Sequence, residues 1–178
     1  MKRNGRNRRL LPVVALALIA LAAFAAVTKA SSTTNAAPAM KANPPTGVVG
    51  TPIARGTYDS FKMELAFVQA LVRGRSTPSI DVVVQKHDFA PGGTTGWHSH
   101  PGPILITVTQ GQLTFYERND PSCSPHVVSA GQGYVDTGAG HFGRNETGQP
   151  AQDVVVALAP VGGAFRTELT APGPYCSF

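Results

Sequence analysis

The sequence predicts an all-β fold, an antiparallel sandwich or barrel of many short strands, and three observations indicate it. The 178 residues include 19 Gly and 15 Pro, which interrupt the chain often and favour turns over long helices. Short runs rich in Val, Ile, Thr and aromatic residues alternate with these breaks. After Arg75 no helix-length periodic pattern with caps is present. The length suits one such domain together with accessory segments.

The first 30 residues have the order of an export signal. A basic stretch that ends at Arg9 precedes an apolar run from Leu10 to Val27, and small residues follow. The run is also just long enough to span a bilayer. We therefore expect residues 1–30 to be a signal peptide, with a retained membrane anchor over residues 10–27 as the alternative. Either outcome places the remaining chain outside the cytoplasm, secreted or in the cell envelope.

The basic isoelectric point, about 9.6, comes from this leader and does not indicate nucleic-acid binding. Six of the 15 Lys and Arg residues lie within the first 30 positions, where there is no acidic residue. The rest of the chain therefore carries nine basic and ten acidic side chains. Without a basic surface interleaved with aromatic residues, a nucleic acid is not an expected partner. Contact with a membrane is expected only through the N-terminal segment.

The chain after the leader divides into a linker and a domain. Residues 31–52 are mostly Ser, Thr, Ala, Pro, Asn and Gly, with almost nothing to bury, and predict a flexible linker. The folded domain is expected over residues 53–178. Segment 61–72 is compatible with a helix or with a pair of strands. Clear strand signals follow, separated in many places by Gly and Pro clusters: Ile80–His87, Ile104–Thr109, Gln112–Tyr116, His126–Ser129, Gly133–Asp136 and Asp153–Ala159.

The two cysteines, Cys123 and Cys176, are an even count in a chain that is expected to leave the cytoplasm. A pair of reactive thiols is one interpretation. A structural disulfide is favoured, because oxidation is the default outside the cytoplasm. Such a bridge would tie the C-terminal tail to the body of the domain.

Three histidines have the spacing of a metal site. His98 and His100 are separated by one residue, and positions i and i+2 of a strand project from the same face. His141 follows a glycine-rich turn and begins another short extended segment. Two histidines from one strand and a third from a distant strand can meet at one ion inside a barrel. Neutral imidazole suits zinc, copper, nickel and iron alike, so the donors leave the metal open.

The residues around these histidines resemble the two motifs of the cupin superfamily. The matching positions are Gly92, His98, His100 and Gly111 for the first motif, and Gly131–Asp136, Gly138, His141 and Asn145 for the second. Both motifs occur in the expected order within a core of residues 81–159. The resemblance implies a single-domain, jelly-roll-like cupin barrel with a ligand or metal pocket inside it. Among cupins, the whole chain is most similar to small exported proteins with a late cysteine.

The sequence also departs from the cupin pattern. The first motif usually has a glutamate, as a fourth ligand, three or four residues after its second histidine, where this chain has Ile104 and Leu105. In the second motif Asp136 replaces the usual proline. Three neutral histidines leave a bound ion its full positive charge and at least one position open to water or an anionic ligand. This arrangement resembles that of the thiol dioxygenases within the superfamily.

The strands after the first motif offer candidates for the wall of a pocket. Ile104 and Ile106 share a parity and are expected to line it with apolar surface. Gln112 and Tyr116 share a face of the next strand and could supply polar contacts if that face is internal.

Other conspicuous residues have a structural interpretation. Trp97 should point away from the metal face and pack in the core or at the rim. His87 is expected to be structural and His126 to lie at the surface. Asp136 and Glu117 are nearby acids that could act as a base or an extra ligand, but each is more typical of a solvated turn or strand end.

The function that these patterns predict is that of an exported cupin which binds one divalent transition metal, Fe, Mn, Zn, Ni or Cu, through His98, His100 and His141. By analogy with the family, the reaction class would be that of a metal-dependent oxidoreductase of the dioxygenase kind, acting on a small molecule. The alternative is a non-catalytic barrel without metal that binds a sugar or another envelope compound. A third hypothesis is an interaction protein whose strand edges pair into a homodimer.

Overall fold

The computed structural model describes residues 43–136, 138–173 and 176. The regular secondary structure in these ranges consists of β-strands. The strands are β1 (Thr46–Tyr58), β2 (Phe61–Phe67), β3 (Ala70–Ser76), β4 (Ile80–Thr94), β5 (His98–Ser99), β6 (Ile104–Gln110), β7 (Gln112–Glu117), β8 (His126–Ser129), β9 (Gly133–Asp136), β10 (His141–Arg144), β11 (Ala151–Pro160) and β12 (Thr167–Glu168). The predicted leader and the first part of the predicted linker, residues 31–42, lie outside the described residues. Within the described ranges, no helix is long and apolar enough to cross a membrane.

Strand β4 connects the two halves of a nearly closed barrel. Along most of its length β4 pairs with β1 on one side and with β11 on the other, and β11 continues the sheet through β6 to β9. At its end, Thr94 pairs with Arg144 of β10. Strand β10 then joins the second half, in which it contacts β7 and β5, while β8 pairs with β7 and β12 with β5. This arrangement confirms the predicted all-β, jelly-roll-like fold.

The alternation of buried and half-buried residues shows why these segments are strands. Along β11 every second residue is buried, from Ala151 to Ala159, because one face of the strand packs inside the barrel. Ile104, Ile106 and Val108 do the same on β6. With Phe89, Leu113, Phe115 and other buried side chains they form the main core.

A second, smaller core lies under the C-terminal tail. Trp97, Tyr116, Phe142 and Cys176 pack together there, and the Trp97 and Phe142 ring centroids are 5.4 Å apart. Trp97 is fully buried, so it is a packing residue. A disulfide joins Cys176 to Cys123, with Cα atoms 5.4 Å apart, and fixes the tail to the loop after β7.

The structure corrects the prediction for one part of the chain and decides between two alternatives for another. The prediction that residues 31–52 are all linker is wrong at its C-terminal end, since β1 begins at Thr46 and pairs with β4 along its whole length. Thr46 to Pro52 resemble a linker in composition, but their backbone hydrogen bonds complete the sheet beside β4. Segment 61–72 belongs to a hairpin of β2 and β3, which settles the choice between a helix and a pair of strands.

Candidate metal centre

The three histidines come from the two motif segments, and strand pairing brings these together. His98 begins the two-residue strand β5, and His141 begins β10 and is its register partner. His100 follows β5 directly, on the same side of the chain as His98. Gly140, with φ of 98°, precedes His141, and a Cβ there would lie 2.8 Å from Leu169. A glycine is therefore needed for His141 to enter the barrel at this point.

The imidazole rings converge on one point. One ring nitrogen from each histidine can be chosen so that all three atoms lie within 4.8 Å of one another. The Nε2 atoms of His98 and His141 are 2.9 Å apart, and the ring centroids of the three residues are 4.4 to 5.4 Å from each other. In the described part of the chain, no carboxylate or thiolate joins this group.

The opposite edge of each ring faces an acceptor. The Nδ1 atom of His98 lies 2.9 Å from the Gly96 carbonyl oxygen, and that of His100 lies 2.6 Å from the Phe165 carbonyl oxygen. The Nδ1 atom of His141 lies 3.6 Å from a carboxylate oxygen of Asp136. A carbonyl can only accept, so Nδ1 carries the hydrogen in His98 and His100, and their Nε2 lone pairs point at the common centre. Histidine ligands of metals are commonly held in this way.

Burial keeps the three imidazoles neutral. His98 and His141 are almost fully enclosed, and His100 is half-buried. Desolvation is the largest cause and lowers the pKa of all three side chains, that of His141 to about 3. Neutral imidazole is the form that binds a metal ion.

The donor set fits a divalent transition metal. The Nε2 atom of His100 is buried and has no hydrogen-bond partner among the described residues, and an unpaired buried acceptor is costly. The facing lone pairs of His98 and His141 would repel each other unless a proton or a cation lay between them. One cation at the common centre satisfies all three nitrogen atoms at once. Three imidazoles suit several transition metals and do not select one.

Asp136 is the acid closest to this centre, and the expectation of a solvated strand-end charge is wrong for it. Its side chain is fully buried. One carboxylate oxygen accepts a 2.8 Å hydrogen bond from the Gly138 backbone N–H, and the other faces His141 Nδ1. At 3.6 Å this contact is longer than a hydrogen bond, so Asp136 lies beside His141 and does not join the ligand group. Glu117 accepts a hydrogen bond from the Tyr134 hydroxyl.

The two positions at which the first motif could carry its usual glutamate, Ile104 and Leu105, have apolar side chains that point in opposite directions. Ile104 is fully buried inside the barrel, whereas Leu105 is 54% exposed on its outer face. Neither offers an oxygen to an ion. The centre therefore has histidine ligands alone among the described residues.

A cavity of about 230 Å³ adjoins the histidines. Its apolar wall includes Ile104, Ile106, Val155 and Phe165, and β1 closes one side with Val48 and Gly50. Its polar residues, besides the three histidines, are Gln85, His87, Thr95, Asp153 and Arg166. The cavity is therefore a mostly apolar chamber with polar groups at separate places.

The structure separates the four predicted pocket residues into two pairs. Ile104 and Ile106 line the cavity, but Gln112 and Tyr116 do not. Gln112 donates a 3.2 Å hydrogen bond to the Ser129 hydroxyl, and the Tyr116 hydroxyl donates a 2.8 Å bond to Glu146. The reason is that β7 is buried on both faces, and its other face, with Leu113 and Phe115, looks into the main core. For Gln112 and Tyr116 the expectation is corrected.

Ten cavity residues were not among the predicted site residues, and four of them are His87, Asp153, Phe165 and Arg166. His87 was expected to have a structural role alone, yet it borders the same space as the three histidines. The inward position of Asp153 could have been predicted from the sequence, because Asp153 shares the parity of Val155, Ala157 and the other buried residues of β11. Phe165 and Arg166 lie in the segment before β12 and have no local sequence signal.

Asn145 fixes the loop between β10 and β11. Its side-chain amide donates hydrogen bonds to the carbonyl oxygens of Ala90 and Gln149, at 3.1 and 2.7 Å, and its oxygen accepts one from the Thr147 backbone. This is a structural role and not a contact with the cavity.

Comparison with known proteins places the three histidines within a matched family segment. Residues 86–157 match the family model described as Cupin domain. No curated protein matches the sequence. Among solved structures, oxalate oxidase in complex with glycolate is 30% identical over 44% of this chain, with a TM-score of 0.39, and the match spans only 42% of that protein. An uncharacterized conserved protein with a double-stranded β-helix domain from Klebsiella pneumoniae is 19% identical, over 63% of this chain and 80% of that one, with a TM-score of 0.43. The polyketide cyclase RemF from Streptomyces resistomycificus is 22% identical, over 45% of this chain and 60% of that one, with a TM-score of 0.38.

Proposed function

We propose that this chain, of which residues 86–157 match the cupin domain family, binds one divalent transition metal ion in its barrel through His98, His100 and His141 and acts as a metal-dependent oxidoreductase on a small molecule. The observation that carries the proposal is the convergence of three buried imidazoles, two of which have Nδ1 bonded to a backbone carbonyl. Iron, manganese, zinc, nickel and copper are all compatible with this donor set.

The residues of the chain would prepare the site for such an ion. The Gly96 and Phe165 carbonyls fix two rings with Nε2 inward, and the Asp136 carboxylate lies 3.6 Å from Nδ1 of the third ring, where its charge would favour Nε2 of His141 as the metal-binding atom. An ion held there would act as a Lewis acid or as an oxygen-activating centre. The lining beside such an ion includes the apolar side chains of Ile104, Ile106 and Val155, and Arg166, whose guanidinium pairs with Glu168, borders the same space.

The first test is elemental analysis of the purified protein and its variants. We expect about one equivalent of a transition metal per wild-type chain, and loss of nearly all of it in His141→Ala. His126→Ala is the matched control, since His126 is exposed and lies away from the cavity, and its metal content should be unchanged. A wild-type protein that takes up no transition metal, even after reconstitution, would overturn the proposal. Retention of the metal by His141→Ala would overturn the ligand assignment.

A non-catalytic barrel that binds a sugar or another envelope compound is the second candidate. The observation in its favour is the apolar Ile104 at the position of the usual glutamate, because loss of a ligand is a step toward loss of the metal. A metal-free protein that still binds a small molecule in its cavity would support this candidate over the first.

We further propose that the domain functions outside the cytoplasm, as a secreted or anchored protein. The Cys123–Cys176 disulfide supports this localisation. A homodimer also remains a proposal, and light scattering on the domain would test it.

A further inference from the structure

A second polar pair borders the cavity beside the histidine centre. His87 of β4 and Asp153 of β11 are direct register partners, and His87 Nδ1 lies 2.8 Å from an Asp153 carboxylate oxygen. The Asp153 side chain is 2% exposed and that of His87 is 21% exposed. Both belong to the lining of the same cavity as the three histidines.

Strand register separates this pair from the histidine centre along β6. Ile104, at the start of β6, is the register partner of Asp136, and the Asp136 carboxylate lies 3.6 Å from His141 Nδ1. Val108, near the other end, pairs with Asp153. The two polar groups therefore lie at different levels of the barrel, with Ile106 and Val155 paired between them.

Packing alone does not explain a carboxylate at position 153. Its neighbours on the inner face of β11 are Ala151, Val155, Ala157 and Ala159, so an apolar side chain would suit the position. Burial of an acid in such surroundings carries a penalty, and desolvation raises the pKa of Asp153. Strand β1 also leaves room for the pair of His87 and Asp153, because its residue opposite His87 is Gly50. A Cβ at Gly50 would lie 2.5 Å from the Gln85 amide nitrogen and 3.3 Å from the His87 ring.

The protonation of the pair determines what it offers to a ligand. Because burial disfavours a net negative charge at this depth, we expect the pair to hold one shared proton in addition to the hydrogen of neutral imidazole. If that proton is on the histidine, both ring nitrogens carry hydrogen. If it is on the carboxyl group, the O–H donates to Nδ1 and the imidazole hydrogen is on Nε2. In both arrangements Nε2 carries a hydrogen, and no described residue accepts a hydrogen bond from it.

We propose that His87, held by Asp153, is a substrate-positioning residue whose Nε2–H donates a hydrogen bond to a carbonyl or carboxylate oxygen at one end of the bound molecule. This inference rests on the proposed function and narrows its substrate class. One end of the substrate is a carboxylate, which faces the metal centre. The middle is apolar and contacts Ile106 and Val155, and the second end carries the oxygen acceptor that His87 binds.

The cavity volume suits such a molecule. A 150 Å³ apolar cavity in a protein accommodates benzene. The cavity here is about 230 Å³, which is sufficient for a short-chain diacid or oxo acid.

Binding of matched acids tests the proposal. Straight-chain diacids of four to six carbons, the monoacids of equal length and the corresponding ω-amino acids are titrated by calorimetry into protein of measured metal content. For the chain length that fits best, we expect the diacid to bind at least tenfold tighter than the monoacid, and the ω-amino acid to bind most weakly. Equal affinity for diacid and monoacid at every length, or a preference for the ω-amino acid, would overturn the proposal.

The double variant His87→Leu/Asp153→Val removes the pair without leaving a buried unpaired charge, and such replacements are often tolerated. It should keep the metal content and the affinity for the monoacid within about twofold, while the preference for the diacid disappears. His126→Leu is the matched control and should retain that preference. A double variant that still prefers the diacid would contradict the role of His87.

The hydrogen on His87 Nε2 can be observed without a metal. Nitrogen-15 NMR of the metal-free protein, assigned with His87→Gln, should show a protonated Nε2 at the pH of the titrations. An unprotonated Nε2 would overturn the inference about His87 and leave the metal proposal intact. Conversely, an absence of metal would overturn the proposed function, while the NMR result and the diacid preference are judged independently.

Discussion

Two of the three histidines of the candidate centre are oriented by backbone carbonyls, and the third faces a side chain. His98 is held by the carbonyl of a residue two positions earlier, and His100 by the carbonyl of Phe165, far along the chain. His141 alone faces a side chain, the carboxylate of Asp136. Only the third contact can be altered by a side-chain substitution that leaves the backbone unchanged.

The substitution Asp136→Asn should therefore weaken metal binding without removing a ligand. The amide can occupy the same space but lacks the negative charge that makes His141 a stronger donor, and changes of this kind cost about 10- to 100-fold in metal affinity. Competition with a chelator of known affinity measures the change. Asp59→Asn, at an exposed position, is the control and should have no effect. An affinity within threefold of wild type would show that Asp136 does not act on the centre.

The residue-level predictions succeeded where the signal was local. The spacing of His98 and His100 follows from strand geometry and could be read directly. Burial of a charge at Asp136, and the position of His87 on the cavity wall, depend on which strands lie across the barrel. That information is not contained in the neighbouring sequence.

At the scale of elements, the turn between β4 and β5 depends on one glycine. Gly96 has φ of 68°, and a Cβ at this position would lie 1.9 Å from the Asn43 carbonyl oxygen. Its own carbonyl oxygen holds His98. The close approach of the segment before β1 and the orientation of a histidine therefore meet at the same residue.

Gly96→Ala should destabilise both the fold and the metal centre. Because the left-handed conformation and the contact with Asn43 are both unfavourable for alanine, we expect a loss of about 2 kcal/mol or more in the free energy of unfolding. Metal content should also fall. Gly148→Ala is the control, since a Cβ there meets nothing within 4 Å. Chemical denaturation and elemental analysis of both variants check the prediction, and equal stability would contradict it.

Strands β1 and β4 are also joined by a buried carboxylate with a predictable pH response. Asp81 accepts hydrogen bonds from the Gly162 backbone, the Thr57 hydroxyl and Arg55, and these lower its pKa from 3.8 to about 2. A carboxyl group with a depressed pKa in the folded state stabilises that state above pH 3.8, and the contribution is lost as the pH falls towards 2.

Comparison of wild type with Asp81→Asn by urea unfolding between pH 6 and pH 2.5 tests this. The stability advantage of the wild type should be constant at the upper end and shrink below pH 4. A difference that does not change with pH would show that Asp81 does not carry this titration.

The elements themselves were largely predictable, with informative exceptions. Strands β8 and β9 have the predicted bounds, because each is short and enclosed by turn residues. Strand β1 was missed at its start, since Gly, Pro and Thr are typical of linkers and only pairing with β4 makes them a strand. The hairpin of β2 and β3 was ambiguous because apolar residues lie on both of its faces, as the exposed Leu65 and Leu71 show.

For the molecule as a whole, the disulfide is the covalent link between the tail and the barrel. It connects positions 53 residues apart and lies in the smaller core beside Trp97. In the chain-entropy model, a loop of this size stabilises the folded state by about 4 kcal/mol.

The double variant Cys123→Ser/Cys176→Ser should therefore lose about 3 to 4 kcal/mol in the free energy of unfolding. Its metal content should stay close to that of wild type, because neither cysteine borders the cavity. Thermal and chemical unfolding, with elemental analysis, check both statements. A loss of metal together with the disulfide would show that the tail supports the centre as well as the fold.

The close approach of Asn43 to Gly96 has a consequence for maturation of the protein. Pro45, Val48 and Gly50 line the cavity, so the C-terminal part of the predicted linker belongs to the cavity wall. If the predicted leader is removed, a cut beyond Asn43 would open the cavity and release the turn that orients His98. A cut upstream of Asn43 would leave the wall whole, so the position of any such cut would determine whether the cavity stays enclosed.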